Sequence, residues 1–177
     1  MRVGEVFRYA RPYSADKREV DDLPNYFHCT HTPGAKLPLL ESGINRIKKI
    51  DLDVGDRCPA ILISSSPHKL GSTETPWQDF FDPDNGHIRY FGDNKDPGAD
   101  PASSPGNEAL LQQFELQTSP EKSVRSSACP IVFFRRVRVG SRAKGNVQFQ
   151  GFGIISRAER ITQFDRKHQR PFTNYVF

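Results

Sequence analysis

This chain of 177 residues is poor in most of the features that make chemistry easy to infer from sequence. No apolar run approaches the ~18–20 residues that a membrane-spanning helix needs. The opening stretch, MRVGEVFRYARPY, has no apolar h-region, so no signal peptide and no membrane partner are expected, and a cytoplasmic location is. Cysteine is scarce: Cys29, Cys58 and Cys129 lie far apart and form no CxxC pair. A disulfide framework and a zinc site of ordinary spacing are therefore not indicated. Neither a GxSxG elbow nor a Walker-type glycine loop occurs, which removes support for hydrolase and NTPase readings. No cofactor and no metal site are expected.

Hydrophobic residues make up only 36% of the chain, so a core is possible but lean. Thirteen Phe, five Tyr and one Trp must carry much of its burial. Fourteen Pro and thirteen Gly argue for short elements joined by turns rather than for a helical bundle. The length suits one domain, or two small ones at most.

The net charge of +4 hides an asymmetry. Residues 1–119 hold 13 Lys and Arg against 18 Asp and Glu, whereas residues 120–177 hold 12 against 3. A segment that basic points to a polyanion partner, because each phosphate neutralised releases condensed counterions. Its densest part is Arg135, Arg136, Arg138, Arg142 and Lys144. The plainer alternative is a solvated strand edge whose charges prevent aggregation.

The pattern predicts a short first strand near Val3–Phe7 and a buried strand at Ala60–Ile63. Ile44–Asp53 leaves helix and strand both open, because Lys49-Ile50 breaks the alternation. Ser64–Thr75 reads as a polar loop, and Pro97–Gly106 as another. Asn107–Gln117 has Leu110, Leu111 and Phe114 at helical spacing, with Asn107 available as a cap. Ile131–Val139 and Val147–Ile155 read as a strand and its return across a basic turn at Gly140–Gly145. Residues 156–165 are ambiguous. Phe172–Phe177 reads as a strand that reaches the last residue given, which suggests a natural chain continuing beyond it.

The most informative segment is Trp77–Asn94, WQDFFDPDNGHIRYFGDN. Its Asn85-Gly86 pair suits a tight type I′ hairpin turn. With those two as the loop, Asp84 faces His87, Asp82 faces Arg89 as an ion pair, and Phe80 faces Phe91. Alternation then gathers Trp77, Asp79, Phe81, Ile88 and Tyr90 on one face, with Gly92 opposite Asp79. A carboxylate among aromatic rings is odd for a plain core, since burying it unpaired is costly. It suits a pocket for a cytosine-like base: the rings stack on it, and the carboxylate accepts from its exocyclic amino group. Gly92 leaves room there, and thymine would present a repelled carbonyl. The plain alternative is an ordinary hairpin with Asp79 at an exposed edge and the aromatics buried.

Aromatic-x-Asp, then Gly, then Tyr-x-Gly, carried here by Trp77, Asp79, Gly86, Tyr90 and Gly92, resembles the base pocket of SRA domains, readers of 5-methylcytosine that flip the base from the duplex. The wider series TPWQDFFDPDNGHIRYFGDNKDPG, GNEALL, FFRRVRV, FQGFGII and PFTNYVF resembles the SRA-like N-terminal recognition domain of modification-dependent, type IV-like restriction endonucleases. These blocks span residues 75–177; residues 1–60 match no part of the pattern. Trp77 stands where the SRA pattern has Tyr, and the interval to Tyr90 is one residue longer. The reading acid is therefore Asp79, or Asp82 with a bulge, or Asp93; the hairpin register favours Asp79.

The resemblance implies an α+β fold, an SRA-like (PUA-like) twisted, partly closed β-barrel with flanking helices, forming a single recognition domain over residues 1–177. It implies a non-enzymatic reader of double-stranded DNA containing 5-methylcytosine, with any nuclease fused or associated beyond the chain. Its pocket is Trp77, Asp79, Phe81, Tyr90, Gly92 and Asp93, with room for a planar guest between the indole and the phenol. Phosphate contacts fall to Arg135, Arg136, Arg138, Arg142 and Lys144, with Lys48, Lys49, His68 and Lys69 as weaker choices. Two rivals remain. Asp79, Asp82, Asp84, Asp93, Asp96 and Asp100 suggest a metal-dependent nuclease, although Gly86 stands one position early for a calcium loop. A PUA-like domain binding RNA or protein is the other.

Overall fold

The two most apolar stretches of the sequence lie side by side in space. In the computed structural model, which describes residues 1–9, 23–24, 26, 43–47, 57–65, 77–82, 84–141, 145–165 and 169–177, β3 (Ile61–Ser65) runs parallel to β6 (Ile131–Arg136), with Ile61 opposite Ile131 and Ser65 opposite Arg135. Both are buried on both faces over Ile61–Ser65 and Ile131–Phe134, as expected of near-continuous apolar runs inside a sheet. Around them stand β1 (Val6–Arg8), β2 (Ile44–Arg46) and β7 (Asn146–Gly153), giving the order β1-β7-β6-β3-β2. The sheet is mixed, since β3 and β6 are parallel while its other pairs are antiparallel.

The chain forms two compact units, and this sheet belongs to the first, Met1–Ser66 with Pro130–Gly153. Its core joins Phe7, Tyr26, Leu62, Val132, Phe134, Val147 and Phe149, with Tyr26 set edge-on to Phe134 at 5.0 Å between ring centres. The β6–β7 register shifts between Phe133 and Phe134, which leaves Gln150 as the extra residue of a bulge. Ser64 and Ser65, expected in a polar loop, are the buried end of β3. The rest of that loop, and the part of Ile44–Asp53 beyond Ile47, lie outside the described residues.

The second unit is Pro67–Cys129 with Ile154–Phe177. It contains the hairpin β4 (Phe80–Asp82) and β5 (His87–Arg89), a 3-10 turn at Pro101–Ser103, the helices α1 (Pro105–Thr118) and α2 (Lys122–Arg125), and the ribbon β8 (Glu159–Asp165) and β9 (Arg170–Val176). The ambiguous residues 156–165 thus supply a strand, paired to β9 over its whole length from Glu159–Val176 to Asp165–Arg170. Helix α1 begins earlier than its apolar spacing suggests. Asn107 is not its cap but lies inside its first turn, fully buried. The buried residues are Gly106, Asn107, Ala109, Leu110 and Gln113, whereas Leu111 and Phe114 are half-buried. Polar side chains can occupy such buried positions when the backbone bonds them, and Gln113 Oε1 accepts from Cys129 N at 2.8 Å.

The described residues are thus mostly sheet with few helices. A closed ring of strands is not seen among them: β1 and β2, three residues each, stand at opposite edges of the five-stranded sheet and do not pair. No helix among them is long and apolar enough to cross a membrane.

Candidate nucleic-acid interface

The hairpin forms, but two residues out of the expected register. Phe80 faces Arg89, Phe81 faces Ile88 and Asp82 faces His87. Asp82 and Arg89 therefore do not pair, Asp84 does not face His87, and Phe80 does not face Phe91. The cause is local. Asp82 accepts from Asn85 through the backbone N at 3.2 Å and the side-chain Nδ2 at 2.8 Å. These bonds close a longer loop, at the far end of which Gly86 takes a φ of +65°. Asp-Pro is a sequence signal for the start of a turn, and with these Asp82 bonds the observed register departs from the one that the Asn-Gly signal gives. The Asn85 side chain, and after it the Asn85 backbone, hold the Asp82 carboxyl below its usual value, with His87 adding a smaller pull.

A slip of two residues preserves which face a side chain takes, so Phe81 and Ile88 remain together. The change comes at the open end. The ladder stops at Phe80–Arg89, and the next bond is made by a side chain: Asp79 Oδ1 accepts from Phe91 N at 3.0 Å. Freed from the ladder, Trp77 does not share a face with Tyr90 by alternation. Its indole stacks on Phe91 at 5.4 Å and 24°, and meets the edge of Phe172 at 5.4 Å. Trp77, Phe91, Phe172 and Val176 form one buried cluster, with Ile161 against it. The expected open platform of Trp77 is thus a ring with one face already covered, and Trp77 is only 8% exposed. Its Nε1 is buried without an acceptor among the described residues. Arg89, released from Asp82, places its guanidinium 5.4 Å from the Phe91 ring centre.

Tyr90, 5% exposed, exchanges both backbone bonds with Phe177 at 2.9 Å, and Gly92 N donates to Tyr175 O at 3.0 Å. The strand end that carries these candidates is therefore stitched to β9. The space expected beside Gly92 is filled. A Cβ there would lie 1.7 Å from Asn107 Oδ1. Asp93 has a structural task that explains its position in the motif: its two oxygens accept from Gly106 N and Asn107 N, both at 3.0 Å, capping α1 from a distance. In return, Asp93 N donates to Asn107 Oδ1 at 3.0 Å.

Sequence reasoning missed the side chains that hold this arrangement. Asn107 Nδ2 donates to Pro101 O at 2.8 Å and to Asn174 Oδ1 at 3.0 Å, and Asn174 Nδ2 donates to Gly92 O at 2.9 Å. Asn94 Nδ2 donates to Thr173 O at 2.9 Å. All three asparagines are buried. One signal was available: in FTNYVF the apolar alternation places Asn174 on the face of Phe172 and Val176, where an amide must find partners.

The acidic run that suggested a nuclease is accounted for largely by turns and caps. Besides Asp82 and Asp93, Asp96 Oδ1 accepts from Gly98 N at 2.8 Å and Asp100 Oδ1 from Ala102 N at 3.1 Å. Of the basic candidates, Arg135 and Arg138 are exposed at the end of β6, and Arg136 Nε donates to Ser64 Oγ at 3.2 Å. These three belong to the first unit, whereas all six pocket candidates belong to the second. Arg142, Lys144, Lys48, Lys49, His68 and Lys69 lie outside the described residues.

Comparison with known proteins gives a consistent result. The family described as Restriction endonuclease AspBHI N-terminal matches residues 3–177. The MspJI restriction endonuclease, solved in complex with a 27-mer oligonucleotide, is similar with a TM-score of 0.81 and 37% identity over 99% of this chain and 41% of that one. The DNA recognition domain of the cytosine modification-dependent restriction endonuclease LpnPI is similar with a TM-score of 0.59 and 25% identity, over 76% of this chain and 58% of that one. The DNA modification-dependent restriction endonuclease AspBHI shares the fold, with a TM-score of 0.51 and 22% identity over 68% of this chain and 54% of that one. This chain thus spans well under two thirds of each solved chain. No curated protein matches it.

Proposed function

The chain belongs to the restriction endonuclease AspBHI N-terminal family, as a DNA-recognition domain and not a nuclease, and on that premise we propose that it reads 5-methylcytosine in double-stranded DNA by drawing the modified base out of the helix. A nuclease fused to it or associated with it, in the cytoplasm, would do the cutting. The observation that carries this reading is the chemistry of Trp77–Asp79. One carboxylate acceptor, Asp79, and one buried indole N–H without an acceptor among the described residues, Trp77 Nε1, lie two residues apart where the chain leaves the hairpin ladder. Cytosine presents an amino donor and a carbonyl acceptor on its pairing edge, and so complements this pair.

The energetics support an exchange rather than a simple gain. Extruding a base costs a few kcal/mol of stacking and pairing. An unmet buried donor costs roughly 1–3 kcal/mol, which a base carbonyl accepting from Trp77 Nε1 would recover. Stacking against Tyr90 adds ~1–3 kcal/mol. Asp79, oriented by Phe91 N, accepts from the exocyclic amino group and disfavours thymine. Trp77, clamped by Phe91 and Phe172, serves as a rigid wall rather than as one half of an open sandwich. The methyl group would lie beside Phe81 and Ile88, which face each other at the half-buried centre of the hairpin.

Asp79→Asn tests this. The amide oxygen keeps an acceptor for Phe91 N while the amide nitrogen puts a donor where cytosine needs an acceptor. Binding to a methylated duplex should fall to that of an unmodified one, with a salt-sensitive residue of affinity left. Trp77→Phe, which keeps a ring and removes the N–H, should weaken methylated binding selectively. Equal losses on methylated and unmodified duplex in both variants would remove the pocket assignment.

A further inference from the structure

The strand end that carries Tyr90 and Gly92 runs antiparallel to β9, with Phe91 opposite Val176. In such a ladder every second pair is hydrogen-bonded and exchanges two backbone bonds. Tyr90 and Phe177 do so, each N–H donating to the other's carbonyl at 2.9 Å. Gly92 and Tyr175 are the next bonded pair. Gly92 N donates to Tyr175 O at 3.0 Å, but a side chain takes both groups of the return bond. Tyr175 N donates to Asn174 Oδ1 at 2.9 Å, and Asn174 Nδ2 donates to Gly92 O at 2.9 Å. At the rung after that, a side chain again serves, with Asn94 Nδ2 donating to Thr173 O at 2.9 Å.

An amide spliced into a ladder gains nothing locally. A direct bond from Tyr175 N to Gly92 O would satisfy both groups without burying an amide, and a buried amide is costly unless its own bonds are made. Asn174 is fully buried, and Asn107 Nδ2 completes its bonding by donating to Asn174 Oδ1 at 3.0 Å. What the amide changes is geometry. It stands between two backbone groups that a direct bond would draw together. Departures from the cheapest local arrangement are expected where function demands them. Here the candidate pocket adjoins the departure. Phe91 lies between the two bonded pairs, and its N–H is the donor to Asp79 Oδ1 at 3.0 Å. The direction of that N–H follows from the peptide joining it to Tyr90, and so from the course of residues 90–92 along β9.

We infer that Asn174 is a positioning residue of the base pocket. By holding the Gly92–Tyr175 rung open it fixes the course of Tyr90–Gly92, and through that segment the Asp79 carboxylate and the Tyr90 ring. Asn107 braces it from the first turn of α1. This inference rests on the pocket reading proposed above, and it adds a residue that sets selectivity without touching the base.

Trp77 is the single tryptophan of the chain, so intrinsic fluorescence reports on this neighbourhood alone. The test compares the whole wild-type chain with Asn174→Asp and Asn174→Leu, well below their melting temperatures. Asn174→Asp keeps the acceptor for Tyr175 N and sets an oxygen against Gly92 O. Asn174→Leu keeps the bulk and leaves Tyr175 N and Gly92 O to bond directly, so it serves if the buried carboxylate prevents folding. In the wild type, a duplex bearing one 5-methylcytosine should quench Trp77 and bind about fourfold more tightly than the unmodified duplex. In the folded variants the ratio should fall to about one and the quench should vanish, while affinity for the unmodified duplex stays at the wild-type level. A folded variant that melts lower yet keeps the wild-type ratio and quench would overturn the inference, because Asn174 would then serve the fold alone. A wild type with neither methyl preference nor quench would instead overturn the pocket reading itself.

Discussion

At the scale of single residues, the aspartates show how one side-chain type divides its work. Asp82, Asp93, Asp96 and Asp100 accept from backbone N–H groups of turns and helix starts. Asp79 accepts from Phe91 N where the hairpin ladder has ended, which ties it to the aromatic cluster rather than to a turn. Gly92 and Asn107 are a mutually dependent pair. Because a Cβ at position 92 would stand 1.7 Å from Asn107 Oδ1, and Asn107 is fully buried, Gly92→Ala should be destabilising by at least ~2 kcal/mol. Asn107→Ala leaves Asp93 N, Pro101 O and Asn174 Oδ1 without that partner and should cost ~3 kcal/mol or more. Thermal unfolding of the double variant checks the contact. Gly92→Ala should be much milder in the Asn107→Ala background, and additive losses would show that the two do not meet.

At the scale of elements, the hairpin was visible in the sequence and its register was not. Two turn signals overlap in Asp82–Gly86, and only the bonds of Asp82 to Asn85 decide between them. Because those bonds lower the Asp82 carboxyl, their contribution is complete above its ordinary value of 3.8 and is lost as pH falls through the lowered one. Asp82→Asn should therefore melt below the wild type at neutral pH, and the gap should close as pH drops under about 3.8. A gap that persists at the acid end would mean that the charge is not what closes the turn. The strand β8 was illegible for another reason. Its outer face is exposed and mixed, and Ile161 is its one apolar residue on the core side, so its alternation is too weak to declare a strand.

At the scale of the whole molecule, the polyanion partner implied by a basic second half agrees with membership of a family of restriction endonuclease N-terminal domains. If the methyl group only fills an apolar niche, it contributes about 0.8 kcal/mol, or roughly fourfold in affinity. Competition between duplexes that differ by the one methyl group should then give a ratio of that order in low and high salt alike. A ratio that collapses with salt would place the methyl contact outside the pocket.

Read alone, the amino-acid sequence determined the strands at Ile61–Ser65, Ile131–Arg136, Asn146–Gly153 and Arg170–Val176 to within a few residues, because continuous or alternating apolar character is a local property. It also carried the family likeness of Trp77–Asn94, since that motif lies within one hairpin and its flanks. Only the tertiary structure decided that Trp77 turns inward onto Phe91 and Phe172, that Gly92 makes way for Asn107, and that Asp93 caps α1. Those outcomes depend on partners far away in the chain, as with Asn107 and Asn174, 67 positions apart. A buried amide or indole goes where its hydrogen-bond partners and packing space happen to meet, and no local period encodes that meeting.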